Sequence, residues 1–171
     1  MPSDERFSEF YDATKLRVLH YLYFATNDLA EAEELTQDAY LRAWQHWDRV
    51  EKYDDPLAWV RTVGWRLAVN KTRWVRRRVG WSGSQQQPGG ETDAVSALIE
   101  RLDMVHALRT LPVNARQVLA LYYLYDLSVE AIASELHIPQ GTVKSRLSRG
   151  RNFLALNLMS SATSAEQDEP Q

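Results

Sequence analysis

Residues 127–151, LSVEAIASELHIPQGTVKSRLSRGR, fall into two short amphipathic pieces joined by a tight connection. In the first, Val129, Ile132, Ala133 and Leu136 recur at i, i+3, i+4 and i+7, which is one face of a helix. Ser128 stands as its N-cap, and Glu130 places negative charge in its first turn. Pro139 cannot continue a helix, so His137-Ile138-Pro139 reads as a turn. A second helix then starts near Gln140-Gly141-Thr142, with Val143, Leu147, Gly150 and Leu154 as its inward stripe. At about 100° per residue, Gly141, Ser145, Ser148, Arg149 and Asn152 lie opposite that stripe. Lys144 and Arg151 flank one edge and Arg146 the other, and residues 140–151 hold four basic side chains and no acidic one. Short hydroxyls and a guanidinium facing outward, with cations beside them, suit a helix that reads base edges and touches phosphates. An ordinary helical hairpin with a basic solvated face has the same periodicity, so the rest of the chain must choose.

Composition narrows the choice. The chain has 171 residues, enough for one domain or two small ones, and its 44% hydrophobic content can fill packed cores. It has no cysteine, so disulfides and thiolate metal sites are excluded, and its four histidines are not paired at ligand spacing. The beginning, MPSDERFSEF, lacks a signal-peptide layout, and no run approaches transmembrane length. A cytoplasmic protein without membrane insertion, cofactor or metal is expected. The net charge of −3 conceals an asymmetry. Residues 1–55 hold thirteen acidic and six basic side chains, whereas 56–79 hold seven basic and no acidic ones. That segregation predicts two kinds of partner surface.

Phe7, Phe10, Tyr11, Thr14, Val18, Tyr21, Leu22 and Ala25 predict a first helix, broken at Asn27-Asp28. Asp28 and Glu31 form a capping-box pattern, and a second helix is expected to run to about Trp47. Its core stripe is Ala32, Leu35, Ala39 and Ala43, and a second flank carries Gln37, Tyr40, Leu41 and Trp44. Apolar side chains therefore cover more than half of its circumference. Either the helix is central in its bundle or it presents a protein-binding face with Gln37, Asp38 and Arg42 at the margin. Residues 48–55 read as a polar loop, with Asp55 as N-cap and Pro56 at the first position of a third helix. That helix is expected to bury Val60, Val63, Leu67 and Trp74, leave Trp65 on the opposite face and set Asn70 near the edge of its buried stripe. Its end, KTRWVRRR, is basic, which the helix dipole favours even without a ligand. Basic residues interleaved with Trp65, Trp74 and Trp81 also suit attraction and stacking of a single strand.

Residues 80–94 contain four of the seven glycines and read as a linker, able to span at most about 50 Å. Val95, Leu98, Leu102 and Val105 begin a further helix ending before Pro112. Asn114 opens another, with Val118, Leu119, Leu121 and Tyr122 inward and Arg116 exposed. Residues 159–171 are polar and expected to be disordered.

GTVKSRLSRGR closely resembles the second helix of region 4 in bacterial sigma factors, and LSVEAIASELHIP resembles the helix before it. DLAEAEELTQDAYLRAW is similar to region 2.1–2.2 of extracytoplasmic-function (ECF) sigma factors, with Gln37-Asp38, Arg42 and Trp44 standing where the family pattern places them. WVRTVGWRLAVNKTRWVRRR is similar to region 2.3–2.4, and LPVNARQVLALYYLYDLS to the start of region 4. The order and spacing of these matches, from about residue 7 to 156, identify the chain as resembling the ECF sigma factors, in particular actinobacterial SigE-type members. The resemblance implies an all-α protein with region 2 over 1–79, a linker over 80–94 and region 4 over 95–158. It implies core RNA polymerase as partner, docked through its clamp helices on Gln37, Asp38, Leu41, Arg42 and Trp44. Promoter DNA is the second partner, and an anti-sigma factor is a common third. Asn70 and the 49–56 loop would capture a base of the opened minus-ten element, with Lys71, Arg73 and Arg77 beside them. The minus-thirty-five element would be met by Thr142, Lys144, Ser145, Arg146, Ser148, Arg149 and Arg151, with Arg116 on phosphate. The resemblance adds Lys144 to the base readers.

The match departs from the family in two places. Tyr122-Tyr123-Leu124-Tyr125 is aromatic where relatives often carry charge, and Ser148 stands where larger side chains are often seen. A response-regulator-like transcription factor has a similar helix-turn-helix, but residues 1–79 show neither alternating strands nor an acidic receiver pocket. An enzyme is not expected, because the adjacent acidic pairs Glu33-Glu34 and Asp54-Asp55 have no histidine or nucleophile placed with them.

Overall fold

The computed structural model describes the backbone of residues 3–78 and 111–165 and the side chains of 4–71 and 111–156. The chain divides into two compact units, Met1–Gly90 and Glu91–Gln171. Among the described residues every regular element is helical, as expected of an all-α protein. The linker, the helix expected from Val95 and Trp81 lie outside the described residues.

The first unit contains α1 (Ser3–Thr26), α2 (Leu29–Gln45), the single turn α3 (Trp47–Val50) and α4 (Pro56–Arg78). Helices α1, α2 and α4 pack on one another around Val18, Tyr21, Leu22, Ala32, Leu35, Ala39, Ala43 and Val60, all buried. The break between α1 and α2 is sharp because Asn27 takes a left-handed φ of 61°. Asp28 caps α2 by accepting from the Glu31 N–H at 2.9 Å. The reciprocal half of the expected capping box does not form. The Asp28 N–H donates instead to Thr26 Oγ1 at 3.2 Å, and the Glu31 carboxylate lies 3.8 Å from Lys71. Helix α2 stops at Gln45, earlier than expected, and the residues read as a polar loop begin as a helical turn. Buried Trp47 and Val50 are the reason, since the Trp47 ring packs 5.2 Å from Phe7 and 5.0 Å from Phe10.

Asp55 caps α4, accepting from the Ala58 N–H at 2.9 Å. The buried face of α4 differs from expectation. It is Val60, Arg61, Gly64, Trp65 and Ala68, while Val63 and Leu67 are half-buried and the Trp74 side chain lies outside the described set. Trp65 is core, its ring 4.9 Å from Tyr21. The true stripe is turned by roughly one residue, about 100°, from the apolar one. Two of its members carry no hydrophobic signal. Gly64 lets α1 come so close that a Cβ there would sit 2.9 Å from Leu22 Cδ1, and Arg61, only 2% exposed, pairs with Asp55 at 3.4 Å.

The second unit shows α5 (Val113–Leu124), α6 (Val129–Leu136) and α7 (Gln140–Ala165). Helix α5 starts at Val113, one residue before Asn114, and buries Ala115, Val118, Leu119, Ala120 and Leu121. Tyr122 and Arg116 are both half-buried, where the one was expected inward and the other exposed. Ser128 caps α6 by accepting from the Ala131 N–H at 3.1 Å. His137 closes the turn in the left-handed region, φ 54°, and α7 begins at Gln140. Helix α7 runs to Ala165, so the tail expected to be disordered from Met159 is helical for its first part. No glycine or proline interrupts residues 152–165, and their alanines and leucines are good helix formers.

Helix α7 meets α5 at Gly150, where an added Cβ would stand 2.6 Å from Leu119 Cδ1 and 3.0 Å from its Cγ. Leu119 is itself buried and has little room to turn. Gly150→Ala is therefore expected to destabilise this unit by about 1–3 kcal/mol, the cost of overpacking less a gain in helix propensity. Denaturant unfolding of the full chain, followed by a probe in the second unit, checks this.

Candidate polymerase and nucleic-acid interfaces

Helix α2 packs its small residues inward and leaves a mixed face outward. Leu41 is 55% and Trp44 41% exposed, and Gln37, Asp38 and Arg42 are exposed beside them. Positions 37, 41 and 44 share one flank, and 38 and 42 the next. An aromatic cluster supports this face from below. Phe7 lies 4.9 Å from the Trp44 ring, and Tyr11 stands edge-on to Tyr40 at 4.9 Å. The Tyr40 hydroxyl meets Thr14 Oγ1 at 2.7 Å, and burial pushes its pKa up to about 12, so it stays neutral. Tyr40, expected on the outward flank, is thus core. Exposed Leu41 and Trp44 on a rigid base form the kind of aromatic and aliphatic anchor that dominates protein interfaces.

The connection between α3 and α4 is pinned at both ends. Arg6 on α1 forks onto Glu51, with Nε 2.9 Å from Oε2 and Nη2 3.2 Å from Oε1. At the other end Asp55 caps α4 and faces buried Arg61. Between them Lys52, Tyr53 and Asp54 are exposed, Tyr53 at 41%. The Asp55 cap was expected, but neither the Arg6–Glu51 pair nor the Asp55–Arg61 pair was legible in the sequence, because Arg6 and Glu51 are 45 residues apart and Arg61 reads as a surface cation.

Asn70 is exposed on α4. Lys71, expected among the DNA contacts, donates to Glu34 of α2 at 2.7 Å and lies 3.8 Å from Glu31. The hydrogen bond to Glu34 raises the Lys71 pKa, and burial raises that of Glu31. Lys71 thereby ties the basic helix to the acidic one. Arg73 and Arg77 belong to α4, but their side chains lie outside the described set.

On α7, Lys144, Ser148, Arg149 and Arg151 are exposed, and Thr142 and Arg146 are half-buried. Ser145 is half-buried rather than outermost. Its Oγ donates to the Thr142 carbonyl at 3.0 Å, which draws the short side chain back along the helix. Arg151 Nε donates to the Tyr123 hydroxyl at 2.9 Å, a contact the sequence did not signal. Among the described residues no cluster of histidines and carboxylates could hold a metal ion, and no helix is long and apolar enough to cross a membrane.

Residues 10–79 match the family Sigma-70 region 2, and residues 101–154 match Sigma-70, region 4. The ECF RNA polymerase sigma factor SigL of Mycobacterium tuberculosis is 35% identical over 152 residues, covering 86% of each chain. SigK of Mycobacterium bovis, also an ECF RNA polymerase sigma factor, is 30% identical over 148 residues, covering 82% of this chain and 79% of that one. Among solved structures, the sigma factor RpoE in complex with the anti-sigma factor NepR from Bartonella quintana superposes with a TM-score of 0.77. It has 25% identity and covers 91% of this chain and 98% of that one. CnrH, solved with the cytosolic domain of CnrY, has a TM-score of 0.64 at 19% identity, covers 92% of this chain and 90% of its own, and shares the fold. With regions 2 and 4 both present and in that order, this chain belongs to the ECF RNA polymerase sigma factors.

Proposed function

We propose that this chain docks on the clamp helices of core RNA polymerase through the outward face of α2, while its two units engage the two elements of a promoter. The observation that carries the reading is the exposure of Leu41 and Trp44 on a helix whose other large apolar side chains are buried or half-buried, ringed by Gln37, Asp38 and Arg42. The overall acidity of the chain weakens its attraction to DNA on its own, which suits a subunit that acts inside a complex. Such a subunit works in the cytoplasm and carries out no chemistry itself. The solved relative bound to an anti-sigma factor supports a regulatory partner of that kind here.

Melting of the minus-ten element falls to the first unit. The pinned crown 52–54 and exposed Asn70 supply the capture site, with the Tyr53 ring as a stacking face for a flipped base. Capture repays part of the unstacking cost, a few kcal/mol. Arg73 and Arg77 supply backbone attraction, and Lys71 positions α4 against α2. In the second unit, Arg149 and Ser148 face the bases of the minus-thirty-five element. Thr142, Ser145 and Arg146 border them, and Arg116 lies toward the backbone.

The melting role is tested with Asn70→Ala in a reconstituted polymerase complex. Open-complex formation should fall by about one to two orders of magnitude on duplex promoter, equivalent to roughly 1.4–2.7 kcal/mol of lost capture. On a template already mismatched across the minus-ten element the loss should be severalfold smaller. Equal losses on both templates would assign Asn70 a structural role instead, although its exposure argues against one.

A further inference from the structure

A cleft of about 270 Å³ opens beside α7, between it and the facing ends of α5 and α6. Tyr122, Val129 and Leu147 line it with Lys144, Ser148 and Arg151, so two cations and a hydroxyl border an apolar wall. No acidic side chain lines it. Arg151 is exposed yet held in place. Its Nε donates to the Tyr123 hydroxyl at 2.9 Å, and its guanidinium carbon lies 5.1 Å from the Tyr122 ring centre and 5.8 Å from that of Tyr123. The two rings stand edge-on to each other at 5.0 Å. A free arginine loses rotamer entropy when it binds, and one fixed beforehand loses less.

We propose that this cleft seats one phosphodiester of duplex DNA, with Arg151 as the oriented guanidinium, Lys144 as the second cation and Tyr122 and Tyr123 as positioning residues. A guanidinium suits the planar, multi-donor recognition of phosphate, and a lysine supplies a point charge beside it. The volume fits the sugar-phosphate of one nucleotide, whose deoxyribose would lie against half-buried Val129 and Tyr122. The aromatic run that departs from the family pattern thereby gains a purpose, because it orients a cation on the neighbouring helix. Lys144 moves from the base readers to the backbone contacts, since it lines the cleft with Arg151. The proposal rests on the promoter reading above and adds to it which groups hold the backbone.

The test uses the full chain bound to core polymerase and duplexes carrying a minus-thirty-five element, each with one neutral methylphosphonate linkage. Wild type should lose on the order of tenfold in affinity at one particular linkage, as expected for loss of a charge-assisted hydrogen bond. Arg151→Gln should lose about as much on unmodified DNA and become insensitive at that linkage. Tyr123→Phe, which keeps the ring and deletes the acceptor, should lose roughly threefold and respond less to that linkage, because the arginine is less ordered. Lys144→Gln should respond less at the same linkage or the next one. Both Arg151 and Tyr123 are exposed, so neither variant endangers the fold. Undiminished sensitivity of Arg151→Gln at every linkage, or wild-type behaviour of Tyr123→Phe, would overturn the seat while leaving promoter recognition intact. Failure of the wild-type complex to distinguish promoter from scrambled duplex would overturn the promoter reading and the seat with it.

Discussion

Leu41→Asp is expected to abolish stable binding to core RNA polymerase, and Arg42→Glu to weaken it severely. Leu41 is more than half exposed in the free chain, so its apolar area is available to a partner and its replacement leaves the helical bundle intact. Burying a leucine contributes about 1.5–3 kcal/mol. Forcing a carboxylate into the same contact adds a desolvation cost of a few kcal/mol. The combined loss is about 3–5 kcal/mol, or two to four orders of magnitude in affinity. Arg42→Glu reverses one charge at the rim and should cost about 2 kcal/mol, much of it in association rate. Titration of labelled chain with core polymerase measures both, and circular dichroism confirms an unchanged helical signal. Tyr40→Ala is the informative contrast. Tyr40 is 2% exposed and packed edge-on against Tyr11, so its loss should unfold the first unit rather than clear its surface. Wild-type affinity in both surface variants would remove α2 from the docking role.

Arg149→Ala is expected to lower affinity for the minus-thirty-five element by about 1–3 kcal/mol and to relax preference at one base position. Arg149 is exposed on the side of α7 opposite buried Val143 and Leu147, where a bidentate contact to a base edge is geometrically available. Arg146→Ala should behave differently. A half-buried flank arginine reaches phosphate, so its loss should weaken all sequences alike and lower the salt slope by about one. Promoter and scrambled duplexes, titrated across a salt series with the polymerase-bound chain, separate the two outcomes. A uniform loss for Arg149→Ala, with sequence preference unchanged, would exclude it from base reading.

Local signals in the sequence translated faithfully into structure. Asp28, Asp55 and Ser128 each cap the helix they precede, and the turn at His137 to Pro139 falls where proline demands it. Caps and turns depend on neighbouring residues, so a linear reading reaches them. The phase of α4 escapes a linear reading because the helix buries positions without hydrophobic character. Gly64 offers no side chain to detect, and Arg61 is charged, so the apolar pattern pointed about 100° away from the face that packs. Trp65, expected on the opposite face, is core for the same reason. Contacts between distant residues were also out of reach. Lys71 meets Glu34 across 37 residues and Arg151 meets Tyr123 across 28, and each changes what its cation can do. The candidate face of α2 was visible as excess apolar surface. Only the structure separated buried Tyr40 from exposed Leu41 and Trp44.

Promoter-directed initiation in a reconstituted system tests the sigma function most directly. Core polymerase, this chain and a supercoiled template carrying its promoter are combined, and transcript start sites are mapped with each component omitted in turn. Transcripts from one defined start should arise only when chain and core are both present, and should be lost with Leu41→Asp. Specific duplex recognition by the chain alone, with no core-dependent start site, would contradict the sigma function and point to a stand-alone regulator.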